Sequence, residues 1–136
     1  MLAGICAGAL ASIVLGSCAG VKTSDLFIVY RTGATAGAHL TLLVNEEGGV
    51  NCNGGPVLKI SNSQLVQARG ITEELEKPAS ENVSLPARPG SVMSYYLRDA
   101  NGTVRFADNS ASQPSAFQQL ALLVLEVAQQ VCHLSH

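Results

Sequence analysis

The spacing of apolar positions changes several times along this chain, and each change marks an element. Phe27-Ile-Val-Tyr-Arg31 is dense in β-branched and aromatic residues and predicts a strand. A loop of small residues, Thr32 to Gly37, separates it from a second strand at Leu40–Val44. Asn45-Glu-Glu-Gly-Gly49 reads as a turn, because glycine supplies the positive φ that tight hairpins need. Val50–Asn53 predicts a third strand, and Val57–Ile60 continues or follows it after Gly54-Gly55-Pro56.

The period then lengthens to that of a helix. Leu65, Ala68, Ile71 or Thr72, and Leu75 share one face over 64–76, with Ser61, Asn62 and Ser63 as possible caps and Pro78 as the stop. After a connection carrying Pro86 and Pro89, alternation returns. Val92–Arg98 and Thr103–Ala107 flank Asp99-Ala-Asn-Gly102, an Asn-Gly hairpin. Val92, Ser94, Tyr96 and Arg98 fall on one face of the first strand, with Met93, Tyr95 and Leu97 on the other; Val104 and Phe106 pair on the second. Pro114 opens a last helix in its first turn and the helix reaches about Cys132. Its stripe of Phe117, Leu120, Val124, Val127 and Val131, broadened by Leu122, Leu123 and Leu125, predicts burial against the sheet. The expected class is α+β, an antiparallel sheet of four to five strands with two helices on one face.

The N-terminal pattern is of a different kind. No charged residue precedes Lys22, and the apolar run to Leu15 is too short and glycine-rich to span a bilayer well. It ends in Leu15-Gly16-Ser17-Cys18, an order that resembles the bacterial lipobox, in which the cysteine thiol receives lipid. Residues 1–20 are therefore read as an export signal with Cys18 as the lipidation site. Residues 21–26 follow as a tether, 27–133 as one domain and 134–136 as a tail. The run lacks the usual leading Lys or Arg, so either the α-amino group is its only charge or the start lies upstream. An ordinary cleaved signal, an uncleaved anchor and a buried N-terminal helix are the alternatives.

On that reading Cys6 leaves with the signal, and Cys52 and Cys132 remain as a pair in an oxidising compartment. A bridge between them would close a loop worth about 4 kcal/mol of chain entropy; two unrelated buried thiols are the alternative. Cys132, His133 and His136 cluster at the C-terminus without the spacing of a zinc site and are read as a tail.

Composition narrows the function classes further. A net charge of −2 with no Lys/Arg run gives no electrostatic case for nucleic acid or peripheral membrane binding, leaving the lipid as the only membrane contact. Three Phe, three Tyr and no Trp are too few for serial stacking platforms. Enzymatic constellations are equally thin. His39 stands at the start of a strand without a partner, no serine lies in a G-x-S-x-G elbow, and Gly54-Gly55-Pro56 lacks the Lys-Ser/Thr of a phosphate loop. Asp99 and Asp108 are read as a turn residue and a strand-end cap. Neither a cofactor nor a metal is expected. Asn82-Val-Ser84 and Asn101-Gly-Thr103 match the glycosylation sequon and are given little weight.

Ile28-Val-Tyr-Arg-Thr-Gly33 with Gly37, Leu65 to Leu85-Pro86, and Tyr95, Asp99, Gly102 and Val104 followed by Pro114 and Leu120 carry a family resemblance. In order and content they resemble the emfourin family, small bacterial protein inhibitors of thermolysin-like metallopeptidases. The similarity spans roughly 27–131. It departs at Thr32-Gly33-Ala34, where the family often has Ser-Gly-Gly, and in an inserted turn with Cys52. The chain also resembles secreted actinobacterial proteins sharing Arg31-Thr-Gly, Cys52-Asn-Gly-Gly and Phe106-Ala-Asp, which bring no function with them. The resemblance implies a non-enzymatic binding module of the cell envelope whose protein partner is a secreted metallopeptidase. Arg31, Thr32, Gly33, Thr35 and Gly37 are the expected partner-binding loop, since small residues let a foreign backbone approach. A structural or accessory lipoprotein, and more remotely a small hydrolase, are the competing expectations.

Overall fold

The computed structural model describes residues 25–134. The signal segment, Cys6, Cys18 and residues 21–24 of the tether lie outside them. The strands are β1 (Asp25–Gly33), β2 (Leu40–Asn45), β3 (Gly49–Cys52), β4 (Leu58–Lys59), β5 (Met93–Arg98) and β6 (Thr103–Ala107). The helices are α1 (Asn62–Glu74), α2 (Glu76–Ser80) and α3 (Ser115–Gln130). All strands join one antiparallel sheet in the order β4-β3-β2-β1-β5-β6, so the first strand lies inside the sheet and the late hairpin docks beside it.

The class is α+β as expected, and the described residues form six strands rather than four or five and three helices rather than two. The extra strand is β4, whose Leu58 and Lys59 pair with Val50 and Gly49 of β3 instead of continuing it. The extra helix comes from Pro78. It does not stop α1, which ends at Glu74; it occupies the first turn of α2, where the missing N–H would have had no helical partner. The first strand begins at Asp25, inside the expected tether.

Helix α1 starts where the sequence offered caps, and Ser61 is the one used. Ser61 Oγ accepts from the Gln64 N–H at 3.1 Å while Gln64 Oε1 accepts from the Ser61 N–H at 3.0 Å, a reciprocal capping box. Gln64 then donates to Gln130 Oε1, joining the start of α1 to the end of α3. Pro114 is the residue before α3, one position earlier than expected, with extended backbone.

Period-two alternation decides which face of the sheet is covered. Phe27, Val29, Leu40, Leu42, Val44, Tyr95, Leu97, Val104 and Phe106 are buried and form one cluster with Ala68, Ile71 and Leu75 of the α1 region and Phe117, Leu120, Leu123, Val124 and Val127 of α3. Stacked rings link the layers, Tyr95 to Phe106 at 4.9 Å and Phe106 to Phe117 at 4.8 Å. Each pair contributes roughly 1 kcal/mol beyond its burial. The wider leucine stripe of α3 is only partly used: Leu123 is buried, Leu125 half-buried and Leu122 exposed. The sheet lies under one side of this helix.

Two closures finish the body. Cys52, at the end of β3, is bridged to Cys132 just beyond α3, with Cα atoms 5.8 Å apart. Past it, His133 takes a left-handed conformation and the Leu134 N–H returns to Ala128 O at 2.8 Å. Leu134 therefore packs against the core and is not part of a free tail. At the opposite edge, Val83–Leu85 runs parallel to β6, the Leu85 N–H bonding Arg105 O and the Arg105 N–H bonding Val83 O, both at 2.9 Å.

Candidate functional site

The loop after β1 is built around Arg31. Phe27, Val29 and Arg31 share the covered face by alternation, and Arg31 is only 2% exposed. Its Nε donates to Ala38 O at 2.8 Å and its guanidinium NH2 group to Gly37 O at 3.1 Å. Among the described residues no carboxylate lies within ion-pair distance of it. Burial lowers its pKa from the ordinary arginine value and the neighbouring Tyr95 opposes that shift. Burial likewise pushes the Tyr95 hydroxyl up, with Arg31 opposing and Asp108 adding.

Arg31 therefore does not take the partner-facing position expected of it; it ties the loop down from beneath. Gly33 is also committed inward, since a Cβ there would meet Val92 O at 2.6 Å and the Ala38 and Met93 side chains at 2.9 Å. Its smallness serves packing within the chain. Thr32 and Thr35 are exposed and Gly37 half-buried, so the loop does present an outer surface. Replacing Arg31 with methionine leaves two carbonyl groups without donors and is expected to cost about 2 kcal/mol. Amide hydrogen exchange checks the location: faster exchange centred on the Ala38 amide, which bonds Thr35 O, is the expected result.

The uncovered face of the sheet carries a second group of residues that the sequence reading left unassembled. Register places Tyr30 opposite Tyr96, Tyr96 opposite Arg105, and Arg105 opposite Ser84. This makes one row across β1, β5, β6 and the flanking segment. The Tyr30 and Tyr96 rings stack at 5.7 Å with planes 21° apart, and the Arg105 guanidinium carbon lies 3.9 Å above the Tyr96 ring. Thr32 and Ser94 pair in the next position along the strands, and Arg98 sits beside Ile28 in the position before. With Leu85 and Ala87, the Tyr30, Thr32, Ser84, Ser94, Tyr96 and Arg105 side chains border an open depression of about 400 Å³, which Arg98 does not line. Neither Arg98 nor Arg105 forms an ion pair among the described residues.

The hairpin bearing Arg98 and Arg105 is held at both ends. At the turn, Asp99 Oδ1 accepts from the Asn101 and Gly102 N–H groups at 2.8 and 3.1 Å. At the base, Asp108 accepts from Ser91 Oγ at 2.8 Å and from the Val92 and Met93 N–H groups. Burial pushes the Asp108 carboxyl up, but those hydrogen bonds outweigh it and hold the group below the ordinary carboxylate value. A carboxyl depressed by folding stabilises the fold above its unfolded pKa, and the contribution is lost as pH falls through the folded one. Asp108→Asn is therefore expected to be less stable than the parent at neutral pH. The two denaturation midpoints should converge below pH about 4.

His39 is exposed, just ahead of β2. Among the described residues no group of three or more His, Cys, Asp or Glu side chains could hold a metal ion. No described helix is long and apolar enough to cross a membrane. Asn82 Oδ1 is engaged by the Thr103 N–H and hydroxyl, each at 3.1 Å, and the Asn101 N–H donates to Asp99 Oδ1, so both sequon asparagines stand exposed at the hairpin turn. No protein-family model matches this chain, and no curated protein and no solved structure matches it.

Proposed function

We propose that this chain is a non-enzymatic, exported binding module that takes a protein partner on the uncovered face of its sheet. One observation carries the reading: a stacked Tyr30–Tyr96–Arg105 row stands on the sheet with, among the described residues, no helix over it and no acid paired with its guanidinium. Tyrosine and arginine on a fixed scaffold are the side chains that anchor protein interfaces, because they bring area and directional donors at small entropic cost. Export is supported by the lipobox-like Leu15-Gly16-Ser17-Cys18 and by a cystine that persists only under oxidising conditions.

The emfourin resemblance makes a secreted thermolysin-like metallopeptidase the partner to test first. Purified protein titrated into such an enzyme is expected to reduce peptide hydrolysis in a saturable manner. Tyr96→Ala combined with Arg105→Ala should weaken that effect at least tenfold, the loss of about 1.4 kcal/mol or more of interface energy. Hydrolysis unchanged at micromolar protein would remove the peptidase as partner. Inhibition unaltered by the double substitution would move the interface to the 32–37 loop.

A further inference from the structure

The depression on the open face is lined by one cation, Arg105, and by no acidic residue. An arginine lying flat on a ring uses its π-face there and keeps its N–H groups directed outward in the guanidinium plane. The Arg105 guanidinium carbon lies 3.9 Å from the centre of the Tyr96 ring, and no carboxylate among the described residues is within ion-pair distance of it. The hydroxyls of Thr32, Ser84 and Ser94 border the same depression and are likewise without hydrogen-bond partners. A hydroxyl donates as readily as it accepts, so the lining offers a carboxylate several donors and holds no competing acid.

We infer that this depression binds a carboxylate presented by an extended segment of the partner, with Arg105 gripping it in a two-point hydrogen-bonded pair and Ser84 and Ser94 supplying further donors. Planar, bidentate recognition is what a guanidinium offers over an ammonium. A depression of about 400 Å³ accommodates a side chain with its flanking backbone and no folded element. The Tyr30–Tyr96 stack forms an apolar floor for the stem that carries the charge. The carboxylate has two sources, an internal Asp or Glu or the C-terminus of a chain, and their chemistry at Arg105 is shared.

The inference rests on reading the open face as the docking surface, and its test is independent of any peptidase. Isotope-labelled protein is titrated in the NMR tube with acetyl-Ala-Glu-Ala-amide, acetyl-Ala-Gln-Ala-amide and acetyl-trialanine bearing a free C-terminus. Saturable millimolar shifts of the Ser84, Ser94, Tyr96 and Arg105 amides are expected with a carboxylate peptide and not with the glutamine peptide. The stronger of the two carboxylate peptides identifies the source. Arg105→Gln is expected to weaken binding roughly tenfold, and Arg105→Lys to recover only part of it. Equal shifts from the glutamine peptide, no saturable shift from either carboxylate, or undiminished affinity in a folded Arg105→Gln protein would overturn the inference. Peptide binding without peptidase inhibition would leave the carboxylate site standing and discard only the proposed enzyme partner.

Discussion

Replacing both Cys52 and Cys132 with alanine is expected to lower stability by about 4 kcal/mol and the melting temperature by roughly 15 °C. The bridge joins positions separated by 80 residues, so it constrains the denatured chain from the end of β3 to the end of α3. The loss should be felt unevenly. Cys52 terminates β3 beside the short edge strand β4, and Cys132 follows directly on α3. Without the covalent tie, that corner keeps the Gln64–Gln130 hydrogen bond and the packing of Leu134. Calorimetry of the double variant, alongside the parent protein under reducing agent, checks the size. The two should agree, and a parent insensitive to reductant would show that the bridge contributes nothing to the fold.

Gly102→Ala is expected to cost about 3 kcal/mol, a large effect for one methyl group at a turn. Gly102 has φ +154°, a backbone conformation that other residues rarely adopt, and a side chain is excluded there for a second reason. Its Cβ would run into Ala79 O at the end of α2 and would lie 2.8 Å from Asn82 Oδ1, which already accepts two hydrogen bonds from Thr103. Relief requires the hairpin turn to move away from α2, and overpacking against backbone typically costs 1–3 kcal/mol, about as much again as the conformational penalty at its upper end. Chemical denaturation measures the total. The same displacement would shift the β5–β6 hairpin that carries Arg98 and Arg105, so carboxylate-peptide affinity should fall together with stability.

How far the molecule could be read in advance differs between local and non-local features. The Asn-Gly hairpin, the Ser61 region as a helix start and the narrow α3 stripe through Phe117, Leu120, Val124 and Val127 depend on near neighbours and take their expected places, whereas the broadening through Leu122 does not, since it is exposed. Arg31 was legible but misread. The alternation that buries Phe27 and Val29 carries on to position 31, and its charge suggested a surface role that its two carbonyl partners make unnecessary. Pro78 shows the reverse problem, since a proline stops one helix and can open the next. The Tyr30–Tyr96–Arg105 row was beyond local reasoning. The facing of Tyr96 away from Leu97 was visible, but its meeting with Tyr30 requires β5 to choose β1 as its neighbour, a pairing across most of the chain. Ser84 joins the row through a parallel bridge at a segment whose proline-rich sequence reads as a simple connection.

The margins of the sheet limit how anything can adhere to it. On one flank the Val83–Leu85 strap already occupies the outward amides and carbonyls of β6 at Arg105, and on the other β4 offers only two residues, one of them Lys59. A guest polypeptide finds no long lateral track of vacant peptide groups on which to zipper itself. A partner held on the open face as proposed would attach broadside, through what protrudes from the pleats. Selectivity then belongs to the visitor's side chains, and blocking its backbone by N-methylation should matter far less than exchanging one of its acids.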